Sequence, residues 1–287
     1  MTNCDSWDAA ARARVSDRWT THSADWNTSL TEALLAEATL SPGLVVLDLA
    51  AGSGDPALSI AERLSDGRVI AIDSSQASLL LANSHAQQLG LGSRIKCLQA
   101  DAQAIPLAPN CVDRVICRFG IMYFRDTARA MSEIMRVLKP GGRVAFLAWG
   151  SFDQPFFEAT VGVVLRMVRG AEVPAEARQM FRFAAPGSLN RELRAAGFSE
   201  VHEQPLTLPR IWAGTPEELW LYQQEVSTLC QPLFASVPPA LSEELDSKVS
   251  SALARFEKGG VLRVPVNVII VAGTKAQPSR TSRRARE

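Results

Sequence analysis

Cysteine is scarce here and shows no pairing pattern. Cys4, Cys97, Cys111, Cys117 and Cys230 contain no Cys-x-x-Cys spacing, so neither a zinc site nor a disulfide framework is indicated. An excess charge of either sign is also missing, because thirty basic residues cancel thirty acidic ones. That balance argues against a protein built to grip phosphate backbones, so no nucleic-acid partner is expected. No apolar run approaches the ~20 residues of a membrane span, and no signal peptide is recognisable. Histidine occurs three times, and none of the three forms an evident pair with an aspartate. The expectation is a reduced, cytoplasmic globular protein with no membrane span and no metal.

What is present is an apolar run that stops at a turn. Val45-Val46-Leu47-Asp48-Leu49 reads as a strand buried on both faces of a parallel sheet. Ala50-Ala51-Gly52-Ser53-Gly54 turns the chain, and Pro56 to Leu64 continues as a helix. Glycines let the backbone approach a ligand, and a fresh helix offers free N–H groups. Gly52-x-Gly54-x-x-Ala57, with Asp73 lying 19 residues beyond Gly54, also fits a dinucleotide fingerprint. A turn with no ligand fits as well. Asp48 tips the choice, because a positively charged cofactor welcomes an acid just before the turn.

The pattern repeats along the chain. Gly67 to Asp73 is a second buried strand ending in a carboxylate, Ser74 to Leu89 a helix, and Ile95 to Ala102 a third strand with Asp101 at its end. Such acids sit at the edge where open α/β sheets bind ligands, and a carboxylate there can accept both ribose hydroxyls. Val112 to Cys117 is a fourth strand, Ala128 to Leu138 an amphipathic helix, and Lys139-Pro140-Gly141-Gly142 a turn into a fifth strand, Arg143 to Trp149.

Asp48-x-Ala50-x-Gly52-x-Gly54 resembles motif I of class I S-adenosylmethionine-dependent methyltransferases. Asp-Leu-Ala-Ala-Gly-Ser-Gly-Asp from residue 48, and the block from Cys117-Arg118-Phe119-Gly120 to Leu138-Lys139-Pro140-Gly141-Gly142-Arg143, resemble the ubiquinone and menaquinone C-methyltransferase branch and its small-molecule, natural-product relatives. The resemblance is close over residues 41–150. It implies an α/β, Rossmann-like seven-stranded methyltransferase sheet, parallel with an antiparallel last strand, plus helical cap insertions. It also implies S-adenosylmethionine as cofactor, held by Asp48, Ala50, Gly52, Gly54, Asp73, Ser74, Asp101, Ala102 and Arg118. Nucleic-acid N-methyltransferases carry Asn/Asp-Pro-Pro-Tyr/Phe after the fourth strand. This chain has Cys-Arg-Phe-Gly there, which disfavours a base as acceptor.

The rest divides around that core. Residues 1–40, with Trp7, Trp19, His22 and Trp26, form an N-terminal arm that lies over the active site in the resembled family; Leu30 to Leu40 reads as its helix. Residues 41–150 are the cofactor-binding core. An apolar helical insertion follows at 151–185. Residues 186–275 return to the core through the helix Leu189 to Ala196, the strand Val201 to Leu208 and the strand Val264 to Gly273, with a second helical insertion at 215–258. Thr215-Pro216-Glu217-Glu218 opens that insertion as a good helix start. The arginine-bearing stretch 276–287 reads as a disordered tail.

Both insertions are rich in apolar and aromatic residues, so the expected acceptor is a small lipophilic or aromatic molecule. Trp19, Trp26, Phe119, Met122, Trp149, Phe152 and Phe156 are its candidate contacts, with Phe157 beside them. Methyl transfer is an in-line displacement from a sulfonium, in which positioning alone can supply ~7–11 kcal/mol. A base is needed only when the acceptor must lose a proton; Tyr123 and His22 are the candidates. His85 reads as structural or exposed, and His202 as structural. The acceptor atom (carbon, oxygen or nitrogen), a homodimer, and a relative that keeps the cofactor but catalyses a cyclisation all stay open.

Overall fold

Val46, Leu47 and Leu49 have no solvent exposure, worth roughly 1.5–3 kcal/mol per side chain, and this burial places β1 (Val45–Leu49) inside its sheet. In the computed structural model, which describes residues 14, 15 and 18–277, β1 is followed by α2 (Ala57–Arg63), β2 (Arg68–Asp73), α3 (Gln76–Gln88) and β3 (Ile95–Gln99). Preceding them is α1 (Thr20–Ala38). After β3 come β4 (Val112–Arg118), a 3₁₀ turn at Ile121–Tyr123, α4 (Thr127–Val137) and β5 (Leu138–Trp149). Then α5 (Pro155–Ala159), α6 (Val161–Met167), α7 (Ala175–Arg178), α8 (Ser188–Ala195) and β6 (Ser199–Trp212) follow. The chain closes with α9 (Pro216–Val226), α10 (Gln231–Ala235), α11 (Ser242–Ala254), the two-residue β7 (Glu257–Lys258) and β8 (Val261–Thr274). Trp7, Cys4 and the arginines of the tail beyond residue 277 lie outside the described residues.

The chain falls into two units. The first holds the described residues up to Glu32, Ala148–Ala185 and Pro205–Ile269. The second holds Ala33–Leu147, Pro186–Gln204 and the chain from Ile270 onward.

In the second unit the strand order is β3-β2-β1-β4-β5-β8-β6. β1 runs parallel to β2 and to β4, β2 to β3, and β4 to β5. β8 departs from this: Gly141 N–H donates to the Lys275 carbonyl at 2.7 Å, and Lys275 N–H to Gly142 at 2.9 Å. In the first unit Gly150 N–H instead meets Asn267 at 2.9 Å, so β5 and β8 run in opposite directions. β8 also runs opposite to β6, with Ser199 facing Thr274 and Thr207 facing Asn267. The expected parallel sheet with an antiparallel last strand, β8, is what forms; β7 adds a short antiparallel hairpin to β8.

Helices cover this sheet by periodicity. In α4, Thr127, Ala130, Met131, Ile134 and Val137 are buried, the spacing of one helical face. Asp126 caps it by accepting from the Arg129 N–H at 2.9 Å. In α8, Leu189 and Leu193 bury at i, i+4 behind Gly187, whose φ of 74° only glycine adopts cheaply.

Several boundaries differ from the sequence reading. The N-terminal helix starts at Thr20 rather than Leu30, because Trp26 and Leu30 bury at i, i+4 and extend the face upstream. β5 starts at Leu138, although a Pro-Gly-Gly turn was expected at its head. The turn survives as an irregularity against β4: Val112 pairs with Leu138 and Arg114 with Arg143, so residues 139–142 have no matching length of β4. β6 and β8 are each 14 residues long, longer than the runs read from sequence. The apolar stretch after Trp149 is broken at Thr160 into α5 and α6. Thr215 caps α9 with Pro216 behind it, as the sequence suggests, and Glu218 completes a capping box that the sequence reading did not include.

Candidate active site

Within the second unit, the chemistry gathers at the carboxyl ends of β1, β2, β3 and β4. The turn after β1 has three residues at positive φ: Ala50 (58°), Gly52 (55°) and Gly54 (113°). The two glycines differ in purpose. A Cβ on Gly52 would meet nothing within 4 Å, whereas one on Gly54 would press on Leu58 at 3.1 Å and the Ala82 backbone at 3.3 Å. Gly52 thus borders open space that a ligand can enter closely, and Gly54 lets the turn pack on α3.

Asp73 ends β2 and does more than the sequence suggests. One carboxylate oxygen accepts the Gly52 N–H at 2.9 Å, and the other accepts the Ser75 N–H at 2.8 Å. It therefore ties the first turn to the start of α3, and each oxygen keeps a lone pair for a hydroxyl. Ser74 is exposed beside it. Asp101 stands two residues past β3, exposed, with its carboxylate holding the Gln103 N–H at 2.8 Å and the Gln103 amide at 3.0 and 3.1 Å. Ala102 beside it is buried.

Asp48 is fully buried, and neither of its oxygens has a hydrogen-bond partner. Burial pushes its pKa well above the usual carboxylate value; the Arg118 charge and the nearby Ala57 backbone N–H oppose the rise, and Asp55 and Asp73 add to it. Arg118, expected among the cofactor contacts, pairs with Asp55: Nη1 lies 2.7 Å from its carboxylate and Nη2 donates to its carbonyl at 3.1 Å. It braces the far end of the turn.

At the exit of β4, Phe119 holds a φ of 59°, a conformation that costs about 1–3 kcal/mol in a bulky residue and clusters at functional sites. Gly120 follows because a side chain there would strike Ala50 Cβ at 2.4 Å and Cys117 Sγ at 2.8 Å. Met122 is buried and Tyr123 half-buried in the 3₁₀ turn beyond. His85, read from the sequence as structural or exposed, has a structural contact beside the turn: its Nδ1 lies 3.0 Å from the Ser53 carbonyl. No spacing in the sequence signals that contact, which depends on how α3 packs. His202 lies 3.5 Å from Glu37 in the same unit.

The first unit gathers aromatic rings. Trp149, Phe152 and Phe156 each pack against Phe157, at 5.5, 5.5 and 5.3 Å between centroids. Trp19 and His22 pack against Trp212, at 5.5 and 5.2 Å. Trp26 is buried and faces Arg210. The cavity of about 220 Å³ between Trp220, Phe234 and Asp246 involves none of the residues singled out in the sequence. Among the described residues, no three His, Cys, Asp or Glu side chains come together as a metal site, and no helix is long and apolar enough to cross a membrane.

An open parallel sheet with Asp48 near the end of β1, Asp73 at the end of β2 and Asp101 two residues past β3, around a glycine turn, has the carboxyl edge at which such sheets bind nucleotide-like ligands. Residues 46–142 match the family described as "Methyltransferase domain". The chain is 32% identical over 168 residues to demethylmenaquinone methyltransferase of Thermus thermophilus, covering 55% of this chain and 76% of that protein. It is 33% identical over 178 residues to the ubiquinone/menaquinone biosynthesis C-methyltransferase of Acidiphilium cryptum, covering 58% and 70%. Phosphoethanolamine N-methyltransferase 2 of Haemonchus contortus, solved with S-adenosyl-L-methionine, shares the fold at a TM-score of 0.57 and 19% identity, over 95% of this chain and 57% of that one. The [4+2]-cyclase SpnF shares it at 0.51 and 22%, over 87% and 82%. The chain belongs to the S-adenosylmethionine-dependent methyltransferases, in the family of the demethylmenaquinone and ubiquinone/menaquinone C-methyltransferases. It is an enzyme, and S-adenosylmethionine is its cofactor.

The residues at the strand ends fit that cofactor. A buried carboxyl group without a partner, Asp48, suits a positively charged ligand, and the open face of Gly52 leaves room for one to approach.

Proposed function

We propose that this enzyme methylates a small lipophilic or aromatic acceptor of the quinone-like kind, with ring carbon as the first acceptor atom to test. The observation that carries the reading is the pairing of a glycine turn braced by Asp73 with an unpartnered, buried Asp48.

In this reading the bound cofactor supplies an activated methyl group on a sulfonium with an excellent leaving group. Asp73 accepts the ribose hydroxyls while it holds the Gly52 N–H. Asp101 and the backbone at Ala102 receive the adenine edge. Asp48, Ala50, Gly52, Gly54 and Ser74 surround the amino-acid end, and Arg118 keeps the turn in shape through Asp55. The acceptor meets the aromatic surface of the first unit, Trp19, Trp26, Trp149, Phe152 and Phe156. Large rings bury much apolar area at little entropic cost. Tyr123 is the proposed proton acceptor, and His22 the second candidate.

Calorimetric titration with S-adenosylhomocysteine and with NAD tests the cofactor assignment; binding of NAD alone would overturn it. Incubation with S-adenosylmethionine and a demethylmenaquinone analogue tests the reaction. Release of S-adenosylhomocysteine with a methylated ring carbon supports the proposal. Conversion of an acceptor with no release would instead assign a cyclase-like reaction on the same scaffold.

A further inference from the structure

Arg210 lies on β6 in the first unit, is 5% exposed, and meets no carboxylate among the described residues. Its guanidinium faces aromatic rings instead: Phe156 at 4.1 Å from the centroid, Tyr222 at 5.5 Å and Trp26 at 5.9 Å. Burial lowers its pKa to about 10, so it stays charged at neutral pH. Ring faces attract a cation, but they do not supply the acceptors that its N–H groups lose on leaving water. A buried cation without a partner is among the costliest arrangements a fold can keep.

Two more polar atoms nearby share that condition. Trp212, two residues along the same strand face, has a buried indole N–H with no acceptor, and His22 has a buried Nδ1 with no partner. The His22 and Trp212 rings stack at 5.2 Å, and Trp212 lies 5.1 Å from Tyr222. An unpaired guanidinium and two orphaned ring nitrogens therefore share one aromatic cluster, all within one unit. Packing alone gives no reason for a nearly buried cation without an ion pair beside two orphaned ring nitrogens; a ligand that brings acceptors does.

We infer that this cluster binds the carboxylate of an aromatic acid, with Arg210 taking the charge and the surrounding rings taking the flat body. A guanidinium fork matches a carboxylate in two parallel hydrogen bonds. Arg18, over the Trp19 ring, is already paired with Glu225, so among the described residues of the cluster Arg210 is the cation left over: a monoanion is neutralised, whereas a phosphate dianion leaves surplus charge buried. This inference rests on the reading of the first unit as the acceptor-binding part, and it gives the aromatic acceptor of that reading a carboxylate substituent.

Quenching of tryptophan fluorescence by 1-naphthoate, 1-naphthamide and 1-naphthyl phosphate tests it on the full chain. Naphthoate is expected to bind at least tenfold more tightly than the amide and more tightly than the phosphate. In Arg210→Met that preference should collapse, while thermal stability stays equal to wild type or rises, because an unpaired charge has been removed. Equal binding of naphthoate and naphthamide by the wild type overturns the inference without any variant. Tighter binding of the phosphate overturns the carboxylate assignment. An Arg210→Met protein that melts well below wild type, or fails to fold, overturns it in favour of a structural cation held by rings. Titration with S-adenosylhomocysteine separates the two readings: if it binds and naphthoate does not discriminate, only the carboxylate site falls.

Discussion

Replacing Asp73 with alanine removes two roles at once, and the two are measured separately. The carboxylate holds the Gly52 and Ser75 N–H groups at 2.9 and 2.8 Å. Hydrogen bonds to a charged group are worth about 1.5–3 kcal/mol each. Asp73 is only half-buried, so water can reach the abandoned donors, and a combined loss of about 2 kcal/mol is the better figure. In a chain of this size that lowers Tm by about 4–8 °C. The ribose contact adds a second loss: about 1.5–3 kcal/mol of cofactor affinity, or roughly 10- to 150-fold in Kd for S-adenosylhomocysteine. Asp73→Asn keeps one acceptor oxygen and should fall between wild type and alanine on both scales. Scanning calorimetry reads the first effect and isothermal titration the second. A lowered Tm with unchanged Kd would remove Asp73 from the cofactor site and leave it a brace. An unchanged Tm would refute the bracing argument itself.

Asp48→Asn tests the buried carboxyl group without ligand. Because its native pKa is raised, the folded state keeps a proton that the unfolded chain gives up, so wild-type stability falls as pH climbs from about 4 toward Asp48's own pKa. The asparagine variant lacks this slope, and its urea midpoint should gain on wild type between about pH 4 and neutrality; a gap that does not change with pH refutes the assignment. Tyr123→Phe should lower turnover about 10²-fold with S-adenosylhomocysteine affinity intact if its hydroxyl moves a proton, and unchanged turnover reduces it to packing. Gly120→Ala should cost about 1–3 kcal/mol through overpacking against Ala50 and Cys117, read as a drop in Tm together with weaker cofactor binding; a neutral result would mean that the exit of β4 yields more easily than its contacts indicate.

The sequence by itself determined the sheet and the nucleotide edge. β1 is legible because buried parallel strands must be apolar end to end, and Asp48 interrupts that pattern where no packing reason exists. Asp73 and Asp101 are legible because each follows a strand of the same kind, and parallel strands end on one edge. The helix start at Thr215 could be read for a related reason: an N-cap threonine, proline at N1 and acids in the first turn are neighbours in sequence, and local geometry does not wait for the fold. Only the tertiary structure decided the contacts between segments distant in sequence. Asp73 braces Gly52 from 21 residues away, His85 supports Ser53 from 32, and Arg118 closes on Asp55 from 63; no periodicity encodes such pairs. The long β6 hid for another reason: its middle alternates between half-buried and exposed, so apolarity could not mark where it ends. Arg210 sits in that hidden stretch, where composition gives an ordinary surface arginine and only packing shows a buried cation among rings.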